Sequence, residues 1–291
     1  MFADAIQKVM SFTKPLIIST RCYDGTVECG CGAFIVINQE GWIITVAHVF
    51  EAVQWYNISK KEILQYQEQV THINQTSAPQ KHKTKLIRHL KSNPKWITNN
   101  SYWYNGDGVR LVDAVFFPEG DLALGRIEPF DPISVSNFPV FKNPNNTLNT
   151  GTSLCKLGFP FHTIKATFDQ SKGFILSEGA LPLAFFPLEG IFTRNILVEK
   201  PPDCKYALKF LETSSPGLKG QSGGPIFDRD GTIWSIQSRT QSLDMGFSPK
   251  IVRNGKEVVE NQILNVGWGA HPEMIFEFLT QNKINFKLSN S

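Results

Sequence analysis

Apolar residues fall in short runs separated by turn chemistry. Residues 33–37 form one such run, Asn38-Gln39-Glu40-Gly41 reads as a turn, and residues 42–46 form a second run, so the three together predict a β-hairpin. Further short strands are predicted at residues 114–117, 122–127, 153–157, 173–176, 195–198 and 232–236. Frequent short strands argue for barrels or sandwiches. Two stretches break the pattern. From Glu51 to Asn105 the chain is polar and free of glycine, with Ile63, Leu64, Tyr66, Gln67 and Val70 at roughly helical spacing, which predicts a helical insertion in a β domain. Near the end, Met274, Ile275, Phe278 and Leu279 lie on one helical face behind Pro272 and predict a short terminal helix. An amphipathic start (Phe2, Ile6, Val9, Met10) and a turn-rich stretch over 129–149, suited to linking two β units, complete the outline.

Composition narrows the class. With 41% hydrophobic residues, 19% charged residues and 22 Phe in 291, there is ample apolar surface to offset chain entropy, so disorder is excluded as the dominant state. The 29 basic and 26 acidic residues are too balanced to demand a nucleic-acid or membrane partner. The Lys81-His82-Lys83-Thr84-Lys85 cluster reads as a solvated face, its rival being a docking patch on the 51–105 insertion. No membrane span or signal peptide is expected, and a cytoplasmic location is the default. The five cysteines (Cys22, Cys29, Cys31, Cys155, Cys204) leave at least one thiol unpaired, which fits a reducing compartment. Cys29 and Cys31 lack a second ligand pair at zinc spacing, so they are read as strand thiols, with no metal and no cofactor expected.

Three segments carry chemistry. In Gly220-Gln221-Ser222-Gly223-Gly224-Pro225 a hydroxyl sits among glycines, whose backbone freedom lets neighbouring N–H groups turn toward a developing oxyanion. In Thr45-Val46-Ala47-His48-Val49 an imidazole follows an apolar strand and is placed to act as a general base. In Gly120-Asp121-Leu122-Ala123-Leu124 a carboxylate heads a strand, where it can hold the imidazole tautomer. Taken singly, Ser222 reads as a turn serine, His48 as a structural histidine and Asp121 as a cap. Their joint occurrence in the order His, Asp, Ser is what carries weight.

Together with Cys31-Gly32-Ala33-Phe34-Ile35-Val36, these segments resemble the trypsin-like serine proteases of the chymotrypsin fold, nearest to HtrA-like and other bacterial-type members. The resemblance runs from about Ile17 to about Asn282, and the serine motif is its most specific part. It implies an all-β fold of two antiparallel six-stranded barrels with a C-terminal helix, acting on protein or peptide substrates. The expected division is a helical segment over 1–14, a first barrel over 15–135 carrying His48, Asp121 and the 51–105 insertion, and a second barrel over 136–291 carrying Ser222. His48 would be the general base, Asp121 its orienting partner and Ser222 the nucleophile, with an oxyanion hole over Gly220, Gln221 and Ser222. The long insertion makes Asp113 a rival acid, but the Leu-Ala-Leu after Asp121 matches the family. No PDZ module is expected after the terminal helix.

The pocket expectations follow from the same correspondence. Relatives that cut after Arg or Lys place an Asp six residues before the serine, and that position is Pro216 here, followed by Gly217 and Leu218. The bordering strand would be Gln237-Ser238-Arg239-Thr240, with Thr240 in place of a usual glycine and narrowing the entrance. Small or medium uncharged side chains are therefore expected, while Arg239 and Lys219 leave an acidic one open. In activatable relatives an Asp just before the serine pairs with a newly cut N-terminal amine. Gln221 occupies that position, so no activating cleavage is expected. Two rivals stand beside this reading. An α/β-hydrolase would use Ser222 with Asp244 and His271, but its serine must lead into a helix, whereas Gly-Gly-Pro follows here. An inactive protease-fold binding module or scaffold would keep the fold without the chemistry.

Overall fold

The computed structural model describes residues 1–199, 202 and 207–290; Cys204 lies outside the described residues. In chain order the elements are α1 (Ala3–Met10), β1 (Thr13–Cys22), β2 (Val27–Val36), β3 (Trp42–Thr45), α2 (Glu51–Gln75), α3 (Gln80–His89), β4 (Ile97–Tyr104), β5 (Arg110–Phe117) and β6 (Leu122–Glu128). There follow β7 (Val140–Phe141), β8 (Ser153–Gly158), β9 (Ala166–Asp169), β10 (Gly173–Leu176), β11 (Phe186–Val198), β12 (Leu208–Thr213), β13 (Pro225–Phe227) and β14 (Thr232–Asp244). The chain closes with β15 (Lys250–Arg253), β16 (Lys256–Val259), β17 (Ile263–Ala270), α4 (Pro272–Gln281) and β18 (Lys287–Leu288).

Two sheets carry the fold. The first has six antiparallel strands in the order β4-β1-β2-β3-β6-β5. Among the described residues no ladder joins its ends, β4 and β5, so hydrogen bonding does not close it. The second has eight strands, not the expected six, in the order β13-β8-β11-β12-β17-β14-β7-β18. The surplus comes from β7 and β18, which each add a two-residue parallel rung. Strand β13 pairs with both β8 and β14, linking the two ends of the run between them.

The insertion differs from its expected extent. Residues of α2 and α3 are helical, but 97–104 is strand β4, paired antiparallel with β1 from Leu16↔Tyr104 to Cys22↔Ile97. Asn99, Asn100 and Ser101 give this stretch a polar character, yet its alternating Tyr102 and Tyr104 reach the core side, and Tyr104 is buried. The insertion is tied back to the sheet where α2 meets β4: Ile97 N–H donates to Ser59 Oγ at 3.0 Å, and Trp96 Nε1 donates to Glu62 at 2.5 Å.

One hydrophobic cluster spans both sheets. It joins Phe34, Ile44 and Leu124 of the first with Leu157, Phe210 and Ile236 of the second, and it is covered by Val9 of α1 and by Met274 and Phe278 of α4. This explains why residues 33–37 read as a continuous apolar run: Phe34 joins this core while Ala33 belongs to a smaller cluster with Ile17 and Phe159. No helix among the described residues is long and apolar enough to cross a membrane.

Candidate active site

Strand β3 ends at Thr45, and the chain then tightens into a 3-10 turn over Ala47–Phe50. Val49 and Phe50 are the buried residues of that turn, which leaves His48 beside the cleft. Asp121 follows a turn closed by its own N–H to the Pro118 carbonyl and adopts φ +52, a left-handed conformation that Asp tolerates better than most residues. The two meet directly. His48 Nδ1 lies 2.9 Å from Asp121 Oδ2 and 3.1 Å from Oδ1, and the His48 backbone N–H donates to Oδ1 at 2.9 Å. Ser238 Oγ completes the arrangement by donating to Asp121 Oδ2 at 2.5 Å.

The rival acid is elsewhere. Asp113 sits at a bulge in β5, and its carboxylate accepts from Arg126 Nε and Nη2.

Electrostatics follow from these contacts. Burial by itself lowers the His48 pKa, but the hydrogen bond and charge of Asp121, with Glu51 adding, outweigh it and hold the imidazole above its ordinary 6.5. Burial pushes Asp121 upward, and the bonds from His48 and Ser238 overcome it, so the carboxyl sits below 3.8.

Ser222 comes from a loop shaped by a turn. The Leu218 carbonyl accepts from Gln221 N–H at 2.8 Å, and Gly220, third in that turn, has φ +101, as a type II turn requires. A Cβ at Gly220 would also strike the Phe159 carbonyl, so glycine is doubly required there. The Ser222 carbonyl accepts from Ala33 N–H at 2.8 Å, binding the loop to the first sheet. Among the described residues, the N–H groups of Gly220 and Ser222 have no protein acceptor. Gln221 is fully buried; its Oε1 accepts from Leu218 N–H at 2.9 Å and its Nε2 donates to the Phe186 carbonyl at 3.5 Å.

Ser222, His48 and Asp121 line one cavity of about 580 Å³ with Gly217, Lys219, Ser238, Arg239 and Thr240. No hydrogen bond links Ser222 Oγ to His48 among the described residues. The expected pocket residues divide. Gly217, Arg239 and Thr240 face the cavity, and Thr240 Oγ1 donates to the Gly217 carbonyl at 2.5 Å, drawing the two walls together. Ser238 turns its hydroxyl to Asp121 rather than toward a substrate. Pro216 is set back, its carbonyl accepting from Lys156 Nζ at 3.0 Å. Lys156 was not singled out by sequence, and Gln237 entered only as the first residue of the bordering strand; the visible signal for Lys156 was a lysine inside the apolar run Leu154-Cys155-Lys156-Leu157. As for the α/β-hydrolase reading, Ser222 leads into strand β13 rather than a helix, and His271 accepts from Glu273 N–H as the cap of α4.

The trypsin-like peptidase domain family matches residues 31–234, a span that holds His48, Asp121 and Ser222. The chain belongs to this family. Among solved structures similar in fold to this trypsin-like chain is the active form of the Rv3671c protease from M. tuberculosis, 11% identical, with 98% of this chain and 86% of that one covered and a TM-score of 0.50. The HtrA-type protease AlgW with tripeptide is 15% identical over 98% of this chain, with a TM-score of 0.48. This chain spans 64% of the AlgW chain's length. At 11% identity, the likeness to the Rv3671c protease speaks to fold alone. No curated protein sequence matches the chain.

Proposed function

We propose that the protein is a serine endopeptidase that hydrolyses peptide bonds through His48, Asp121 and Ser222. The observation that carries this reading is the buried Asp121 carboxylate, bonded at once to the His48 imidazole and to Ser238 Oγ at the edge of the cavity that Ser222 lines. Asp121 holds Nδ1 protonated, which leaves Nε2 to take the Ser222 proton as Oγ attacks the carbonyl carbon. The free N–H groups of Gly220 and Ser222 would receive the oxyanion. Collapse of the tetrahedral intermediate expels the amine, protonated by His48, and leaves an acyl-enzyme on Ser222; water attacks by the same route to release the acid. The pairing of β13 with both β8 and β14 supports reading the second sheet as a barrel.

The test is covalent labelling by a fluorophosphonate probe together with peptide-library cleavage, each run on wild type and on Ser222→Ala. Labelling and cleavage that vanish in the variant support the assignment. A folded wild type that neither labels nor cleaves would sink it in favour of a non-catalytic scaffold.

A further inference from the structure

Behind the cleft lies a charged group that the proposed chemistry does not use. Lys156 stands mid-strand in β8 with only 1% of its surface exposed. Its ammonium donates to the Ser215 carbonyl at 2.5 Å and to the Pro216 carbonyl at 3.0 Å. Those carbonyls lead straight into Gly217, Leu218 and Lys219, which line the cavity with Ser222. A Cβ on Gly267 of β17 would occupy the space held by Lys156 Nζ, so the absence of a side chain there leaves room for the ammonium behind the Ser215–Pro216 backbone that leads into the cavity lining.

The ammonium is short of negative charge. Among the described residues no carboxylate lies within ion-pair distance of Lys156, and its two acceptors are neutral carbonyls, which leave one ammonium proton unspent. Ser215 Oγ, packed against Gly190 of β11, is buried and has no hydrogen-bond partner. Gln237 donates from Nε2 to the Arg239 and Trp268 carbonyls at 3.1 Å each, and its Oε1 is buried without a partner. Lys219 and Arg239 add positive charge to the cavity lining; of the acidic residues there, Asp121 is spent on His48, and Glu51 stands at the start of α2.

We propose that the pocket for the P1 residue, which precedes the cleaved bond, takes an aspartate or glutamate whose carboxylate pairs with the Lys156 ammonium; this rests on the serine-endopeptidase reading above. Entry displaces the Thr240–Gly217 bond at the cavity wall, and the freed Thr240 hydroxyl then donates to the incoming carboxylate. An acidic side chain supplies the counter-charge that the buried ammonium lacks. Glutamine is the sharpest competitor, because its amide could donate to Gln237 Oε1.

The preference should depend on pH. Burial lowers the Lys156 pKa to about 7, opposed by the neighbouring Cys155. The elements packed around it offer little compensation. Glu189 of β11 is exposed, Glu212 of β12 is spent on Thr193, Arg194 and Trp268, and Lys209 pairs with Glu273. Arg239 of β14 and Lys219 of the loop are cations, while β13 and β17 bring no titratable group. The ammonium is therefore charged below about pH 7 and loses its proton above it, taking the acidic preference with it.

Matched peptides differing only at P1 (Glu, Asp, Gln, Leu) test this on the full chain, with fluorophosphonate labelling alongside. The kcat/KM ratio of Glu to Gln substrates cancels the titration of His48. It is expected to be about tenfold or more near pH 6 and to fall toward one above about pH 8.5. Lys156→Met should bring the ratio to about one at both pH values; should that variant fail to fold, the wild-type pH dependence reads the same interaction. A ratio at or below one near pH 6, or one that is flat with pH, overturns the assignment while labelling leaves the peptidase reading intact. Absence of both labelling and cleavage overturns that reading, and this inference with it.

Discussion

Asp121 collects donors from the His48 backbone, the His48 ring and the Ser238 hydroxyl, so its two oxygens are committed to acceptor roles. Asp121→Asn would present an amide N–H₂ where an acceptor is needed and would favour the wrong imidazole tautomer. The expected result is a fall in kcat of about 10⁴ with the circular dichroism spectrum retained. A loss below about tenfold would show that another group orients His48. The same contacts fix the sign of the pH profile. In the proposed mechanism protonated imidazole cannot accept the serine proton, so kcat/KM is expected to be low below the His48 pKa and to rise as pH passes through it. Because His48 sits above 6.5, the midpoint for a neutral P1 substrate should lie above that value and move down in Asp121→Asn. A wild-type midpoint below 6.5 would contradict the Asp121 contact.

Among the elements, the turn from Leu218 to Gln221 sets where the free N–H groups of Gly220 and Ser222 point, and with them the proposed oxyanion site. Its order comes from within, because the Gln221 amide takes the Leu218 N–H and reaches the Phe186 carbonyl. No newly cut N-terminal amine is called for, and the protein should react with a serine probe without prior cleavage. Probe reactivity that appears only after proteolysis would refute this. Gln221→Ala strands the Leu218 N–H, a cost of about 1–3 kcal/mol, and should slow labelling as the turn loosens. The helical insertion depends on a different anchor: Trp96 is buried, packs on Tyr23 and Tyr66, and donates to Glu62. Trp96→Ala is expected to cost about 3–5 kcal/mol and to raise hydrogen exchange in α2. Unchanged protection there would mean that the helix is held by its other contacts.

At the scale of the whole molecule, one core joins the two sheets, with α1 and α4 packed across it. Heating should therefore give a single transition by tryptophan fluorescence and circular dichroism alike; two resolved transitions would show that the sheets unfold independently. Local chemistry made much of this legible in advance. The apolar runs over 33–37, 42–46 and 122–127 lie in β2, β3 and β6 or directly at their ends, and the glycine-rich turn around Ser222 and the terminal helix α4 also follow from neighbouring residues. Strand β4 was hidden because Asn99, Asn100 and Ser101 make a polar stretch whose strand character comes from pairing with β1. The sequence by itself determined which side chains could do chemistry, and their order. Only the tertiary structure decided that Asp121 rather than Asp113 meets His48, that Ser238 supports Asp121 from 117 positions away, and that Lys156 reaches the Ser215 carbonyl 59 positions on. Such choices depend on strand register and on the space left by residues such as Gly267, and neither is encoded in the chain near the residues they bring together.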